Sequence, residues 1–225
     1  NANVQERVFQ CMLGNPVIGT RIVAAALWSR TASEIVDMLR AGTVTPLELV
    51  DVMEERITKI DRLVNAVPIR CFERARREIR QRTHPYPPPL YGMPVLIKDL
   101  HAVCGLLDTH GFVPWQDRIA SRDDALVRRV TKSGGIVCGK TNVPELAAGS
   151  HTFNRVFGVT KNPWDLRVTA GGSSGGTAAA LSSGMSWLAT GSDLGGSLRI
   201  PASFNGIVGL RSSPGRVVKE NSGSS

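Results

Sequence analysis

Histidine is scarce in this chain and badly placed for one common kind of serine catalysis. His84, His101, His110 and His151 all precede the glycine- and serine-rich segments that begin at Gly171. A hydrolase elbow of the G-x-S-x-G type needs its histidine downstream. A Ser–Asp–His order is therefore excluded within these 225 residues. Cysteine is sparse too. Cys11, Cys71, Cys104 and Cys138 are far apart, with no C-x-x-C and no histidine at metal-ligand spacing. Cys71 and Cys138 lie in apolar or helical contexts and read as reduced, packed thiols, which points to a reducing compartment, the cytoplasm.

Long apolar runs are missing as well. The most apolar N-terminal run, Val17 to Trp28, is interrupted by Arg21 and is too short to cross a bilayer. Acidic residues are outnumbered, 19 against 27 basic ones, for a net charge of +8. Much of the excess falls on Arg70, Arg74, Arg76, Arg77, Arg80 and Arg82, within one expected helix. That run lacks the interleaved series of aromatic side chains on which bases stack, so it reads as a solvated helix face and no nucleic acid is expected. A basic binding module built on that helix remains the alternative reading. There is no internal repeat.

What is present is a globular composition, 42% hydrophobic and 20% charged. Thr31-Ala-Ser-Glu34 is a capping box, followed by apolar Ile35, Val36 and Leu39 and stopped by Gly42. Thr45-Pro-Leu-Glu48 repeats the signal, and Leu49, Val50, Met53, Ile57 and Ile60 form one helical stripe. The arginine helix follows and ends in Thr83–Pro89, a proline-rich tract that reads as a stiff linker. From Gly92 the pattern alternates. Met93–Ile97 is a strand ending at Lys98, Asp124–Ser133 a helix, and Ile136–Gly139 a strand. A helix is expected from Pro144, a small-residue helix over Thr177–Ser183, and a strand over Ser186–Thr190. Alternation of this kind predicts an α/β fold, with a mixed, mostly parallel central sheet and helices on both faces.

Gly134-x-x-x-x-Gly139-Lys140-Thr141 matches the P-loop pattern in letters but not in context. A P-loop needs a strand before its first glycine and a loop through its middle. Here a helix precedes Gly134, and Ile136-Val137-Cys138 reads as the strand itself. The β-lactamase triplets are missed as well, by Ser192-Asp193-Leu194 and by Lys140-Thr141-Asn142.

The segments of most chemical interest are Gly171-Gly-Ser-Ser-Gly-Gly176 and Gly191-Ser-Asp-Leu-Gly-Gly-Ser197. In each, a serine stands among glycines, whose missing Cβ permits close approach of a ligand to the backbone. With no histidine available, Lys98 is the best base. An unperturbed lysine is neutral in only about one molecule in 2,500 at pH 7, so the strand end must destabilise its cation. Lys132, Lys161 and Lys219 lie in polar or turn contexts and read as solvated.

Taken in order, Gly92–Asp99, Thr141–Glu145, Asn162–Trp164, Gly171–Gly176, Gly191–Pro201 and Gly209-Leu210 resemble the amidase signature family from about residue 30 to residue 218. The resemblance implies a Ser–Ser–Lys triad. Ser197 matches the nucleophile, Ser173 the bridging serine on a cis peptide bond, and Lys98 the base. It implies an oxyanion hole from the backbone N–H groups of Leu194, Gly195, Gly196 and Ser197. Asp193 and Arg199 match supports of that loop, and Ala147 a position lining the acyl side. It implies hydrolysis of a small-molecule amide without metal or organic cofactor, and it is compatible with a homo-oligomer. The amidase subunit of a glutamine-dependent tRNA amidotransferase is the alternative within the family. Ser192, Leu198 and Asn205 stand where the family usually has Thr, Ile and often Cys. Arg199-Ile200-Pro201 resembles stand-alone amidases more than the tRNA-linked subunit.

Residues 1–30 read as an N-terminal extension and 31–225 as the N-terminal half of an amidase signature domain. The chain looks cut at both ends, since it begins at Asn1 and closes on NSGSS and family members continue well beyond it. An inactive fragment is therefore a further alternative. For the P-loop lookalike, calorimetric titration with Mg-ATP is expected to register no binding; an affinity abolished by Lys140→Ala would overturn the argument from context.

Overall fold

The two capping boxes form as the sequence requires. The computed structural model describes residues 27–217; most of the expected N-terminal extension, with Cys11, and also Lys219 lie outside them. Helix α1 spans Ala32–Ala41 and α2 spans Pro46–Val64. At each start a threonine side chain accepts from the N3 backbone, and the N3 glutamate accepts from the threonine N–H (Thr31 with Glu34, Thr45 with Glu48). Those bonds hold both glutamates below the usual carboxylate range.

Strand β1 (Ile69–Arg70) and helix α3 (Phe72–Gln81) come next, so Arg70 lies on a strand rather than on the arginine helix. There it pairs with Asp61 at 2.8 Å. Nor is α3 simply a solvated face. Arg76 reaches back to Asp51 (2.7 Å) and to Glu54 on α2, and pairs with Glu73 on its own helix (2.6 Å). The proline tract folds back as well: Tyr86 packs on the core, and the Arg82 guanidinium lies 4.2 Å from its ring centre.

Strand β2 (Pro94–Lys98), helix α4 (Ala125–Lys132) and strand β3 (Ile136–Thr141) follow. The sheet order is β1-β3-β2, with β2 parallel and β1 antiparallel to β3. The sheet is thus mixed, as expected, but the Ser186–Thr190 strand is not formed. That segment meets β2 at one parallel bridge, Ala189 with Leu96. Within it, Trp187 packs on the core and its indole N–H donates to the Leu27 carbonyl. A two-stranded ribbon, β4 (Phe153–Asn154) and β5 (Gly158–Val159), precedes α5 (Gly175–Ser182) and α6 (Arg199–Asn205).

Alternation along the strands divides the core. Leu96, Ile136 and Cys138 face Met53, Ile57, Phe72 and Ala179 of α2, α3 and α5. Val95, Ile97 and Val137 face Ile35, Leu39 and Val127 of α1 and α4. Helices therefore cover both faces of the sheet, and each large apolar side chain buried there contributes roughly 1.5–3 kcal/mol. Both core thiols are displaced upward by burial, Cys71 to about 11.

The small-residue helix α5 is required by proximity. A Cβ at Gly176 would lie 2.5 Å from the Asn142 nitrogen and 2.6 Å from its carbonyl oxygen, both backbone. Gly176→Ala is expected to cost ~1–3 kcal/mol, the usual penalty for overpacking. Gly195→Ala, where a Cβ meets nothing within 4 Å, is expected to change stability by less than ~0.5 kcal/mol. Urea unfolding of the two variants checks both values.

Candidate active site

Two loops and one strand end converge on Lys98. Strand β2 delivers it with no exposed surface, and four hydrogen bonds fix its backbone. Its N–H donates to Thr190 Oγ1 (2.9 Å), its carbonyl accepts from Leu100 and His101, and the next N–H, of Asp99, donates to Thr141. The side chain ends among hydroxyls. Nζ lies 2.7 Å from Ser173 Oγ, 3.0 Å from Ser174 Oγ and 2.8 Å from Ser192 Oγ. No carboxylate contacts this nitrogen among the described residues. Desolvation therefore pulls the Lys98 pKa down from 10.5 to about 7, against a weaker pull upward from the Asp193 charge.

Ser173 follows a cis peptide bond from Gly172, as the resemblance implied, and is buried at the approach to α5. The Ser174 N–H donates to the Ser197 carbonyl at 3.1 Å, and Ser174 Oγ donates to the Ser192 carbonyl and accepts from the Ser192 N–H, both at 3.3 Å. The two glycine-serine loops are thus stitched together beside the lysine. Ser197 is half-buried on the second loop, just before α6. Its hydroxyl makes no hydrogen bond among the described residues. The structure therefore joins Lys98 to Ser173 directly, and brings Ser197 to them by backbone contact.

Asp193 organises the second loop. Its carboxylate accepts from the N–H groups of Gly196 (2.7 Å), Leu198 (3.2 Å) and Arg199 (3.4 Å), and pairs with the Arg199 guanidinium at 2.9 Å. These partners hold it far below the usual carboxylate range. The Gly196 N–H is consequently engaged, and Gly196 itself sits at a left-handed φ of 112°. The N–H groups of Leu194, Gly195 and Ser197 donate to no protein group among the described residues.

The helix expected from Pro144 is replaced by a short turn, Glu145–Ala147, in which Leu146 and Ala147 take left-handed φ values of 54° and 55°. The Leu146 N–H donates to the His110 carbonyl at 2.8 Å, and the two left-handed residues break the helical path. Residues just beyond Ala147 lie against the cis peptide, since a Cβ on Gly172 would meet the Gly149 oxygen at 2.9 Å.

Sequence reasoning missed Ser174 and Ser192 as partners of Lys98, and Lys140 as a second buried lysine. The P-loop lookalike held the signal for the last: a lysine inside an otherwise apolar strand, which the structure shows fully buried. Lys132 and Lys161 are exposed, as expected. Among the described residues no group of three or more His, Cys, Asp or Glu is placed to hold a metal ion, and no helix is long and apolar enough to cross a membrane.

Burial of Lys98 has a sign that can be tested. The folded chain releases this proton near pH 7 and the unfolded chain only near 10.5. Between those values the unfolded state binds more protons, so this group's contribution to stability rises with pH. Lys98→Met is expected to stabilise the fold most below about pH 7, with the gain fading as pH rises toward 10.5. Urea midpoints at about pH 6 and about pH 10 measure this; a gain that grows with pH would contradict it.

Comparison with known proteins places the chain in a family. The family model described as Amidase matches residues 48–222. The chain is 38% identical over 185 residues to a component of the glutamyl-tRNA(Gln) amidotransferase of Sulfolobus acidocaldarius, covering 82% of this chain and 39% of that protein. It is 36% identical over 197 residues to a putative amidase, kk1C, of Curvularia clavata, covering 85% and 37%. A solved structure of 6-aminohexanoate cyclic dimer hydrolase with substrate superposes with a TM-score of 0.73 at 34% identity, covering 79% of this chain and 36% of that one. The chain thus spans about two fifths of the length of the curated relatives it matches. On the family match, the relatives and the shared fold together, this chain belongs to the amidase signature family.

Proposed function

We propose that the protein hydrolyses a linear carboxylic acid amide to the acid and ammonia or an amine through a serine acyl-enzyme. The observation that carries this reading is the buried Lys98 amine, 2.7 Å from Ser173 Oγ and surrounded by hydroxyls alone. As an ammonium, Lys98 donates three hydrogen bonds to the three serines. As a free amine it keeps two donors and gains a lone pair, and Ser173 can then donate to it. The Ser173 oxygen is thereby released to accept the Ser197 proton as Ser197 Oγ attacks the carbonyl.

The tetrahedral intermediate places negative charge on the former carbonyl oxygen. The N–H groups of Leu194, Gly195 and Ser197 are the donors available to it, and each such donor is worth ~3 kcal/mol. The Gly196 N–H serves instead to hold the loop on Asp193. Reprotonated Ser173 returns its proton to the leaving amine, and water repeats the cycle on the acyl-enzyme. Ala147, on the left-handed turn beside the cis peptide, lines the acyl side in this reading.

A second reading is favoured by the tRNA amidotransferase relatives. The same Ser197 chemistry would then release ammonia from glutamine for a partner protein. Arg199-Ile200-Pro201 supports the stand-alone amidase.

A fluorophosphonate probe tests the roles by phosphonylating an activated hydroxyl. Ser197→Ala is expected to abolish labelling. Lys98→Ala should slow it at least ~100-fold, the lower range for a positioned base. Ser173→Ala should slow turnover yet leave Ser197 labelled. Losses in double variants should not add, because a relay acts as a unit. Mass-spectrometric localisation of the label on Ser173 or Ser174 would overturn the assignment.

A further inference from the structure

Beside Lys98 lies a second buried lysine for which the proposed reaction has no use. Lys140 and Asp99 have no exposed side-chain surface, and Lys140 Nζ stands 2.5 Å from Asp99 Oδ1. The other Asp99 oxygen accepts from Thr109 Oγ1 at 2.6 Å. Lys140 also donates to the Leu107 carbonyl at 2.8 Å and reaches Asp108 Oδ1 at 3.3 Å. Asp99 directly follows Lys98, and Lys140 is the register partner of Ile97 across the sheet. Both charges therefore flank the backbone that carries the Lys98 amine.

In a poorly screened interior, one uncompensated charge shifts a neighbour strongly, whereas a tight ion pair exerts only the weaker field of a dipole. Asp99 alone would favour the Lys98 cation. Lys140 alone would oppose it. We propose that Asp99 and Lys140 act as a paired positioning element, each cancelling the other's field at Lys98 while their bonds hold the strand end that aims its amine. This rests on the reading of Lys98 as the general base.

The remaining charges around Lys98 are few. Asp193 faces it from the second serine loop and is compensated by Arg199, with Arg211 at 3.9 Å. His101 pairs with Asp124 on the segment that follows β2 (3.2 Å). Beyond Lys140, Asp108 is held by Arg118 (2.9 Å) and His110 (3.2 Å). Helix α5 contributes only uncharged residues. Asp99 and Lys140 are thus the charges nearest in sequence and register, while Asp193 supplies the one charge whose pull on Lys98 is felt in the intact pairing.

The test is to titrate Lys98 directly. In protein labelled with 13C at lysine Cε, one of six lysine signals is expected to titrate near pH 7, and its loss in Lys98→Arg assigns it. Lys140→Met leaves Asp99 uncompensated and should raise that midpoint by about one unit or more; Asp99→Asn should lower it by a similar amount. The double variant removes both charges at nearly constant volume and should return within ~0.5 unit of the parent. Shifts in one direction for both single variants, no shift in either, or a double variant displaced by a unit would overturn the proposal. Should a single variant not fold, the double variant still decides by that last criterion. Fluorophosphonate labelling across pH separates this from the reaction itself. A parent chain that is never labelled but whose midpoints shift as stated would sink the serine mechanism and support the charge balance. Normal labelling with fixed midpoints would sink the charge balance alone.

Discussion

The burial of one ammonium group governs the architecture around it. Lys98 is fully enclosed at the end of β2 with three hydroxyls on its nitrogen. Hydroxyls satisfy the donors of a cation without supplying the charge that would compensate its lost hydration. The amine therefore sits near neutrality at physiological pH, where an exposed lysine would not. Keeping water out requires β2 and β3 to be covered on both faces and the two serine loops to close over the strand end.

The neighbouring lysine shows what a different set of partners does to the same residue type. Lys140 is equally buried, one strand away, and is met by Asp99 and Asp108 instead of hydroxyls. Carboxylates offset part of the desolvation of a cation, which hydroxyls do not. Two buried lysines in adjacent strands thus end in different surroundings, one among hydroxyls and the other among carboxylates. Strand alternation alone cannot assign these surroundings; the side chains of Thr109, Asp108 and the serines do.

Close approach is the second constraint. Gly176 lets the start of α5 lie against the backbone of Asn142, and Gly172 lets the cis peptide lie against residues 149–151. Asp193, with no exposed side-chain surface, gathers three backbone N–H groups and Arg199 into one loop. The N–H groups of Leu194, Gly195 and Ser197 are left over by that arrangement. The loop is held by its own carboxylate.

Local chemistry was legible in the sequence because it acts over a few residues. Both capping boxes, the apolar strand ending at Lys98, the Asp124-capped helix and the two glycine-serine segments follow from spacing and propensity, and the motifs sufficed to identify the family. Long-range contacts decided the rest. A left-handed turn at Leu146 and Ala147, with the Leu146 N–H bonded to the His110 carbonyl, stands where a helix was expected. The Ser186–Thr190 segment meets β2 at one bridge where a strand was expected. Arg76 became a fastening to α2 because acidic side chains more than twenty residues away meet it. Ser174 and Ser192 joined Lys98 from 76 and 94 residues further along the chain. Whether a lysine is a base or a buried counter-ion depends on which groups surround its nitrogen, and only the folded chain brings those groups together.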